Sequence, residues 1–188
     1  MAGVDADAWN DRYADEDRVW GGEPNRFVVQ YLADITPGSA IDLGAGEGRN
    51  AVWLARQGWD VTAVDFSAVG LAKARAMAAE AGVALATVAE DAMDFEPSVH
   101  VDLVLLSYLQ VPDDQQVRLL RRVVDWLRPG GRVFVVAHDK ANTVGGPPDA
   151  GVRYSVEQTV AALEGLEIEV AALADRDGAL DTVVLARS

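Results

Sequence analysis

Gly44, Gly46 and Gly48 stand directly after a short apolar run, Ala40-Ile41-Asp42-Leu43, and directly before a helix-like stretch. A strand that enters such a turn and a helix that leaves it make a loop whose backbone a ligand can approach closely. Gly44 and Gly46 open backbone conformations closed to other residues, and Gly48 lets the outgoing helix sit tight on the strand. A second run, Asp60–Asp65, is β-branched and ends in an acid 19 residues beyond Gly46. A carboxylate at that point accepts both ribose hydroxyls of a nucleoside. Together the loop and Asp65 predict an adenosine-containing cofactor. The alternatives are a tight structural turn and a helix-capping acid, although Ser67 is better placed than Asp65 to cap the next helix.

The loop spacing narrows the cofactor. A dinucleotide loop reads G-x-G-x-x-G and offers a helix N-terminus to a pyrophosphate. Here the spacing is G-x-G-x-G, Asp42 precedes it and Glu47 lies inside it. Acids at the helix start repel a pyrophosphate and suit a ligand with cationic parts, a sulfonium and an ammonium. That ligand is S-adenosylmethionine (SAM), with S-adenosylhomocysteine as its demethylated product.

The elements that position these residues follow from periodicity and punctuation. After Ser39 strand-like and helix-like segments alternate: strands at Ser39–Leu43, Asp60–Asp65, Val83–Val88, Val101–Leu106 and Val133–Ala137. Gly48–Gln57 reads as a helix. Ser67 caps a second, with Leu71, Ala74, Ala78 and Ala81 on one face and Gly82 as its stop. Pro112-Asp113-Asp114 opens a third, with Val117, Leu120, Val124 and Leu127 inward and Pro129-Gly130-Gly131 at its end. Ser155–Leu163 predicts a short helix, and Leu166–Leu173 and Ala179–Ala186 a strand pair turning at Asp177-Gly178. The alternation predicts an α/β fold, a mostly parallel doubly wound sheet with helices on both faces and an antiparallel edge. Ahead of it, Asp5–Asp17 places Trp9 and Tyr13 on one helical face, Gly21-Gly22 breaks that helix and Asn25–Leu32 predicts another. Residues 1–38 are therefore expected to form a helical segment over the site, and residues 39–188 the main domain.

Composition excludes several classes. The 188 residues carry 30 acids against 16 bases, a formal charge of −14, where a nucleic-acid or anionic-membrane partner needs a positive footprint. There is no cysteine, which removes disulfides, thiolate metal sites and a thiol nucleophile. His100 and His138 are too few for a histidine-rich metal site, so no metal is expected. The polar, acidic N-terminus and the lack of a long apolar run predict a cytoplasmic protein. Arg118, Arg121 and Arg122 read as a solvated helix face.

AIDLGAGEGRN, VTAVDFS, EDAMDF, VDLVLLSYLQVP and LRPGGRVFVVAHD, in this order, resemble the motifs of the class I SAM-dependent methyltransferases. The likeness runs from Ala40 to the C-terminus. The GEGRN ending, the small size and the aromatic N-terminal segment with Pro24-Asn25 resemble the small tellurite-resistance and thiopurine-type members. The resemblance implies a Rossmann-like seven-stranded sheet in the order 3-2-1-4-5-7-6 with strand 7 antiparallel. It implies that Asp42, Gly44, Ala45 and Gly46 line the methionine part of SAM, and that Asp65 holds the ribose with Phe66 beside the adenine. Asp91 and Ala92 would reach the adenine edge, and Ser107 would lie near the methionine amine or the transferring methyl. At Phe66 the family also uses longer polar side chains, which bears on adenine packing. Arg12, Arg18 or Arg49 would neutralise the methionine carboxylate.

On the acceptor side, His138 ends the fifth strand and opens a polar, glycine-rich loop. Ligands of doubly wound sheets bind beyond such strand ends. Methyl transfer is an in-line displacement, and a hydroxyl acceptor needs a base, whereas thiol, selenol or oxyanion acceptors need none. His138 is the expected base, with Tyr108 and Asp139 as substitutes; the alternative is that His138 caps a strand or binds a loop carbonyl. His100 is expected to be structural. Trp9, Tyr13 and Trp20 predict either a flap that closes over the cofactor and excludes water or rings that pack the helix onto the sheet. The expected partner is a small-molecule methyl acceptor, and the expected state a monomer or homodimer. A SAM-binding protein without turnover and a nicotinamide-dependent oxidoreductase are the rival functions; the second should carry G-x-G-x-x-G and a Tyr/Lys pair.

Overall fold

The computed structural model describes residues 6–15, 19 and 21–188. Arg18 and Trp20, both singled out above, lie outside the described residues. The chain divides into two compact units, residues 1–96 and 97–188. The first holds α1 (Ala6–Asp15), α2 (Arg26–Leu32), β1 (Ser39–Leu43), α3 (Arg49–Arg56), β2 (Asp60–Asp65), α4 (Ala68–Ala81) and β3 (Ala86–Ala89). The second holds β4 (Val101–Ser107), α5 (Asp113–Val124), β5 (Leu127–His138), a 3-10 turn at Ala150–Val152, α6 (Val156–Ala162), β6 (Glu167–Arg176) and β7 (Ala179–Arg187). The strands are ordered β3-β2-β1-β4-β5-β7-β6 in one sheet, with β7 antiparallel to β5 and β6. This is the sheet order that the sequence motifs imply.

In the first unit β2 lies parallel between β1 and β3. Ala40, Ile41 and Leu43 are buried, as befits a strand covered on both faces. Ser67 caps α4 by accepting the Gly70 N–H at 3.0 Å, and Gly82 ends the helix in the left-handed region. Leu71, Ala74, Met77 and Ala78 form its buried face. Gly48 caps α3 with φ 81°, and a Cβ there would come within 2.5 Å of the Ala74 Cβ. The close approach that requires this glycine is thus to α4 rather than to the strand. The third strand is shorter than its apolar run, Ala86–Ala89 instead of Val83–Val88, because Val83 and Leu85 pack beside Met77 and Ala78 instead of joining the ladder.

In the second unit β4 and β5 are parallel. Pro129-Gly130-Gly131 lies inside β5 as an irregularity in the pairing, not beyond a helix: Val101 pairs with Leu127, and Leu103 already with Arg132. The helix ends earlier, at Val124, so Leu127 belongs to the strand. The buried face of α5 is Gln116, Leu119, Leu120 and Val123, one step round from the Val117–Leu120–Val124 stripe. The hairpin at Asp177-Gly178 is as expected, with φ 57° and 89°, the pair of left-handed residues that a two-residue turn with the right twist demands. Among the described residues no helix is long and apolar enough to cross a membrane.

Candidate functional site

In the first unit the glycine loop is tied to the end of β2. The Gly44 and Ala45 amides donate to the Val64 carbonyl at 2.8 and 3.0 Å. Gly44 and Gly46 hold φ 78° and 54°, which explains why both must be glycine. Asp65 then bridges loop and helix: Oδ2 accepts the Gly46 N–H and Oδ1 the Ser67 N–H, both at 2.8 Å. Each oxygen keeps room for one further donor. Burial raises the Asp65 carboxyl above its ordinary value, the Ser67 and Gly46 amides oppose this, and the Asp91 charge adds to it.

Asp42, at the core of β1, is 1% exposed. Among the described residues neither of its carboxylate oxygens has a hydrogen bond of good geometry. Burial and the charge of Asp65 push its carboxyl up to about 7, against the pull of the Ala51 amide and the Arg49 guanidinium. A buried acceptor this poorly partnered is costly unless a ligand satisfies it. This is the observation that fits a cofactor with a cationic end. Arg49 is half-buried at the start of α3, Phe66 is half-buried after Asp65, and Ala92 is buried. Asp91 is exposed, with Oδ1 accepting the Met93 N–H at 2.8 Å. Asp42, Gly44, Ala45, Gly46, Arg49, Asp65 and Asp91 thus gather in one unit, through hydrogen bonds or mutual charge.

α1 lies against this loop. Trp9 and Tyr13 share a face, with ring centroids 5.3 Å apart. Tyr13 is buried, and a Cβ on Gly46 would come within 2.6 Å of its hydroxyl. Its ring also packs on Gly70. Asn10 Oδ1 accepts the Ser67 hydroxyl at 2.6 Å. Tyr13 therefore rests on the glycine loop and the head of α4. Glu47 does not point its charge at an open site: buried at 2%, it accepts the Val19 N–H at 2.9 Å and the Lys73 ammonium at 3.1 Å. Arg12 is exposed, its guanidinium 5.0 Å from the Trp9 ring centroid.

In the second unit Ser107, Tyr108 and His138 come together at the carboxyl ends of β4 and β5. The Tyr108 and His138 rings are 4.8 Å apart. Ser107 Oγ is buried and, among the described residues, has no hydrogen-bond partner. Two residues that the sequence reading missed complete the group. Asp181 lies opposite His138 in the β5–β7 register and is fully buried. Its Oδ2 accepts the Tyr108 hydroxyl and the Arg176 Nε–H, each at 2.7 Å, and its Oδ1 lies 3.3 Å from His138 Nδ1. The available signal was an acid inside the apolar run of β7, a residue type rarely buried without a partner. Asp139 is buried and committed elsewhere: it accepts the Ala141 N–H at 2.8 Å and the Thr182 hydroxyl at 2.6 Å. The loop after His138 is folded back by Arg153, which donates to the Asn142 and Pro147 carbonyls. Gly146 of that loop packs on the His138 ring, where a Cβ would come within 2.8 Å. His100 is exposed.

A strand–glycine loop–helix, an acid closing the second strand and this sheet order are those of the class I SAM-dependent methyltransferase fold. Residues 40–131 match the family model described as a methyltransferase domain. Among curated proteins the chain is similar to a ribosomal RNA small subunit methyltransferase C of Alcanivorax borkumensis, 34% identical over 54% of this chain and 33% of that protein. It is similar also to a ubiquinone biosynthesis O-methyltransferase of Pectobacterium carotovorum, 36% identical over 57% of this chain and 46% of that protein. The chain thus spans less than half the length of these relatives. Among solved structures it resembles TehB from Haemophilus influenzae, with a TM-score of 0.78, 18% identity and coverage of 96% and 67% of the two chains. It also resembles magnesium protoporphyrin IX methyltransferase from Synechocystis, solved with S-adenosylhomocysteine, with a TM-score of 0.77, 18% identity and coverage of 97% and 96%. At these identities the likeness is one of fold. The family's cofactor is SAM.

Proposed function

We propose that this chain transfers the methyl group of SAM to a hydroxyl of a small-molecule acceptor by in-line displacement, with His138 as the base. The observation that carries the reading is the His138 ring at the end of β5, set beside a buried acid that is itself fixed by Tyr108 and Arg176. A soft or already anionic acceptor would not need such a base. The O-methyltransferase relatives support a hydroxyl acceptor, and the charge of −14 favours a small molecule over RNA.

On this reading Asp42 takes the ammonium of the methionine part, above Gly44, Ala45 and Gly46. Asp65 takes the ribose hydroxyls, Phe66 flanks the adenine, and Asp91 and Ala92 reach its edge. Arg49 neutralises the methionine carboxylate, and Ser107 lies near the methionine end. Residues 1–38 form the cover and residues 39–188 the methyltransferase domain. SAM supplies a methyl carbon already activated by its sulfonium. The acceptor oxygen bonds that carbon as the carbon–sulfur bond breaks, the hydroxyl proton passes to His138, and S-adenosylhomocysteine leaves neutral. Holding the acceptor at attack distance supplies up to ~7–11 kcal/mol of the acceleration.

The test is methyl transfer from labelled SAM to phenols, quinols and sugars, set against thiols, selenite, tellurite, amines and ribosomal RNA. Transfer to a hydroxyl class that His138→Gln abolishes supports the reading. Transfer only to thiols or metalloid oxyanions, or to RNA, overturns the acceptor assignment. Cofactor binding without transfer to any acceptor favours a binding protein.

A further inference from the structure

The buried carboxylate of Asp181 is given no binding role in the function proposed above, yet three side chains from β4, β5 and β6 converge on it. Tyr108, from the end of β4, adopts φ 55°, a left-handed conformation that is unfavourable for a non-glycine residue. That conformation accompanies a hydroxyl bonded to Asp181 Oδ2 at 2.7 Å. Arg176, from the end of β6, donates Nε–H to the same oxygen at 2.7 Å, and its guanidinium lies 5.6 Å from the Tyr108 ring centroid. Two donors therefore occupy Oδ2, and Oδ1 is left facing His138 Nδ1 at 3.3 Å. Among the described residues Oδ1 has no hydrogen bond of good geometry, so a small ring rotation completes the pair. The imidazole also has the Tyr108 ring 4.8 Å away and the backbone at Gly146 against it, and Gly146 brings no charge.

We infer that Asp181 is a positioning residue for His138: its carboxylate, clamped by Arg176 and Tyr108, holds the imidazole with the proton on Nδ1 and leaves Nε2 as the basic atom. A neutral imidazole that turns its Nδ1 lone pair to a carboxylate is repelled, and one that turns an N–H to it is held. Burial alone would raise the Asp181 carboxyl; the nearby His138 and the hydrogen bonds of Arg176 and Tyr108 outweigh it and keep the value below the ordinary one. The group is therefore an anion throughout the neutral range. Tyr108 thereby acts as a clamp on Asp181, its hydroxyl proton directed at the acid, rather than as a second base. This inference rests on the base role proposed for His138.

Only two histidines, His100 and His138, are present, so ¹⁵N-histidine NMR of the full chain resolves the ring directly, with His100→Gln giving the assignment. In the wild type the neutral His138 ring is expected to carry its proton on Nδ1. In Asp181→Asn, Arg176 and Tyr108 keep the amide oxygen, so the amide NH₂ faces His138. The ring is then expected to switch to the Nε2–H form, with kcat for a hydroxyl acceptor falling about 100-fold or more and KM for SAM unchanged, the behaviour of a base held in the wrong tautomer. An Nε2–H ring in the wild type overturns the inference even if Asp181→Asn fails to fold, and leaves the base role standing. So does an Asp181→Asn protein with unchanged kcat. Full turnover in His138→Gln overturns the base role itself, and the inference with it.

Discussion

Each unit places a buried carboxylate in a strand of the sheet, and the two are treated in opposite ways. Asp42 is 1% exposed and lacks well-formed hydrogen bonds among the described residues, while Asp181 is 0% exposed and has an arginine, a tyrosine and a histidine against it. Burial dominates at the first and lifts its carboxyl to about 7; donors outweigh burial at the second and depress it. An acid completed by the protein's own donors can orient a neighbour at any time. An acid left incomplete at a ligand loop costs stability until a cation arrives. On the function proposed above, the difference separates a group that recognises the cofactor from a group that prepares the protein's own chemistry.

The harshest test of this division is the acid beside the incomplete one. Asp65→Ala removes the proposed acceptor for the ribose and also the partner of the Gly46 and Ser67 amides. Hydrogen bonds to a charged group contribute about 1.5–3 kcal/mol each, so S-adenosylhomocysteine affinity by calorimetry is expected to fall at least about 100-fold. The tautomer of His138 should not move. A smaller loss than tenfold would mean that Asp65 only ties the loop to α4.

Asp42 makes a prediction of distinctive sign. Its native-state value lies above the ordinary 3.8, so the folded chain binds that proton more tightly than the unfolded chain does. The stability it contributes is fully present below about pH 4 and is lost as the pH rises to about 7, a change on the order of 4 kcal/mol. Cofactor binding should show the reverse, because an ammonium favours the ionised form: affinity rises about tenfold from pH 6 to pH 8 as the proton is released. Asp42→Asn is expected to flatten both curves, leaving the free protein more stable at pH 8 while weakening the complex. Calorimetry and thermal melts across this range decide it, and a pH-independent affinity in the wild type would break the contrast with Asp181.

Glu47 sharpens the boundary between recognition and cover. It holds the Val19 amide and Lys73, and so secures the segment whose Tyr13 hydroxyl rests on Gly46. Glu47→Gln weakens that hold without touching Asp42 or Asp65. Cofactor affinity is expected to fall only about threefold to tenfold, close to the value for one modest hydrogen bond, and deletion of residues 1–22 to fall further. Unchanged affinity in the deletion would assign the segment to packing alone.

The parts of this arrangement visible in the sequence were those written in local code. The strand-loop-helix of Gly44 to Gly48, the acid ending β2, the Ser67 cap and the Asp177-Gly178 turn are each specified by a few adjacent residues. Pairing across distance was not. That Pro129-Gly130-Gly131 is absorbed into β5 depends on the partner strand, and that α5 buries Leu119 rather than Val117 depends on what it packs against. Sequence order alone makes Glu47 part of the ligand's electrostatics, because its partner, Val19, lies 28 residues away. Asp181 went unnoticed for the same reason: only the antiparallel register of β5 with β7 brings it to His138. Local rules locate where a ligand touches backbone, whereas the groups that tune a side chain arrive from other strands.

The smallest effect belongs to a carboxylate of the same sheet that faces water. Glu169 on β6 meets Arg132 on β5 through two bonds at 2.8 and 2.9 Å, a better fork than any donor gives Asp181. Yet both side chains are about a quarter exposed, 22% for Arg132 and 26% for Glu169. Water competes for each charge, salt screens the pair, and holding two long side chains costs entropy. A double-mutant cycle over Arg132→Ala and Glu169→Ala should therefore return a coupling below about 1 kcal/mol, shrinking as salt is added, with methyl transfer unaffected. Good geometry alone would predict the larger value. A coupling well above 1 kcal/mol would mean that the number and angle of donors, rather than removal from water, set the strength of a carboxylate site in this sheet, and the contrast between Asp42 and Asp181 would then need another cause.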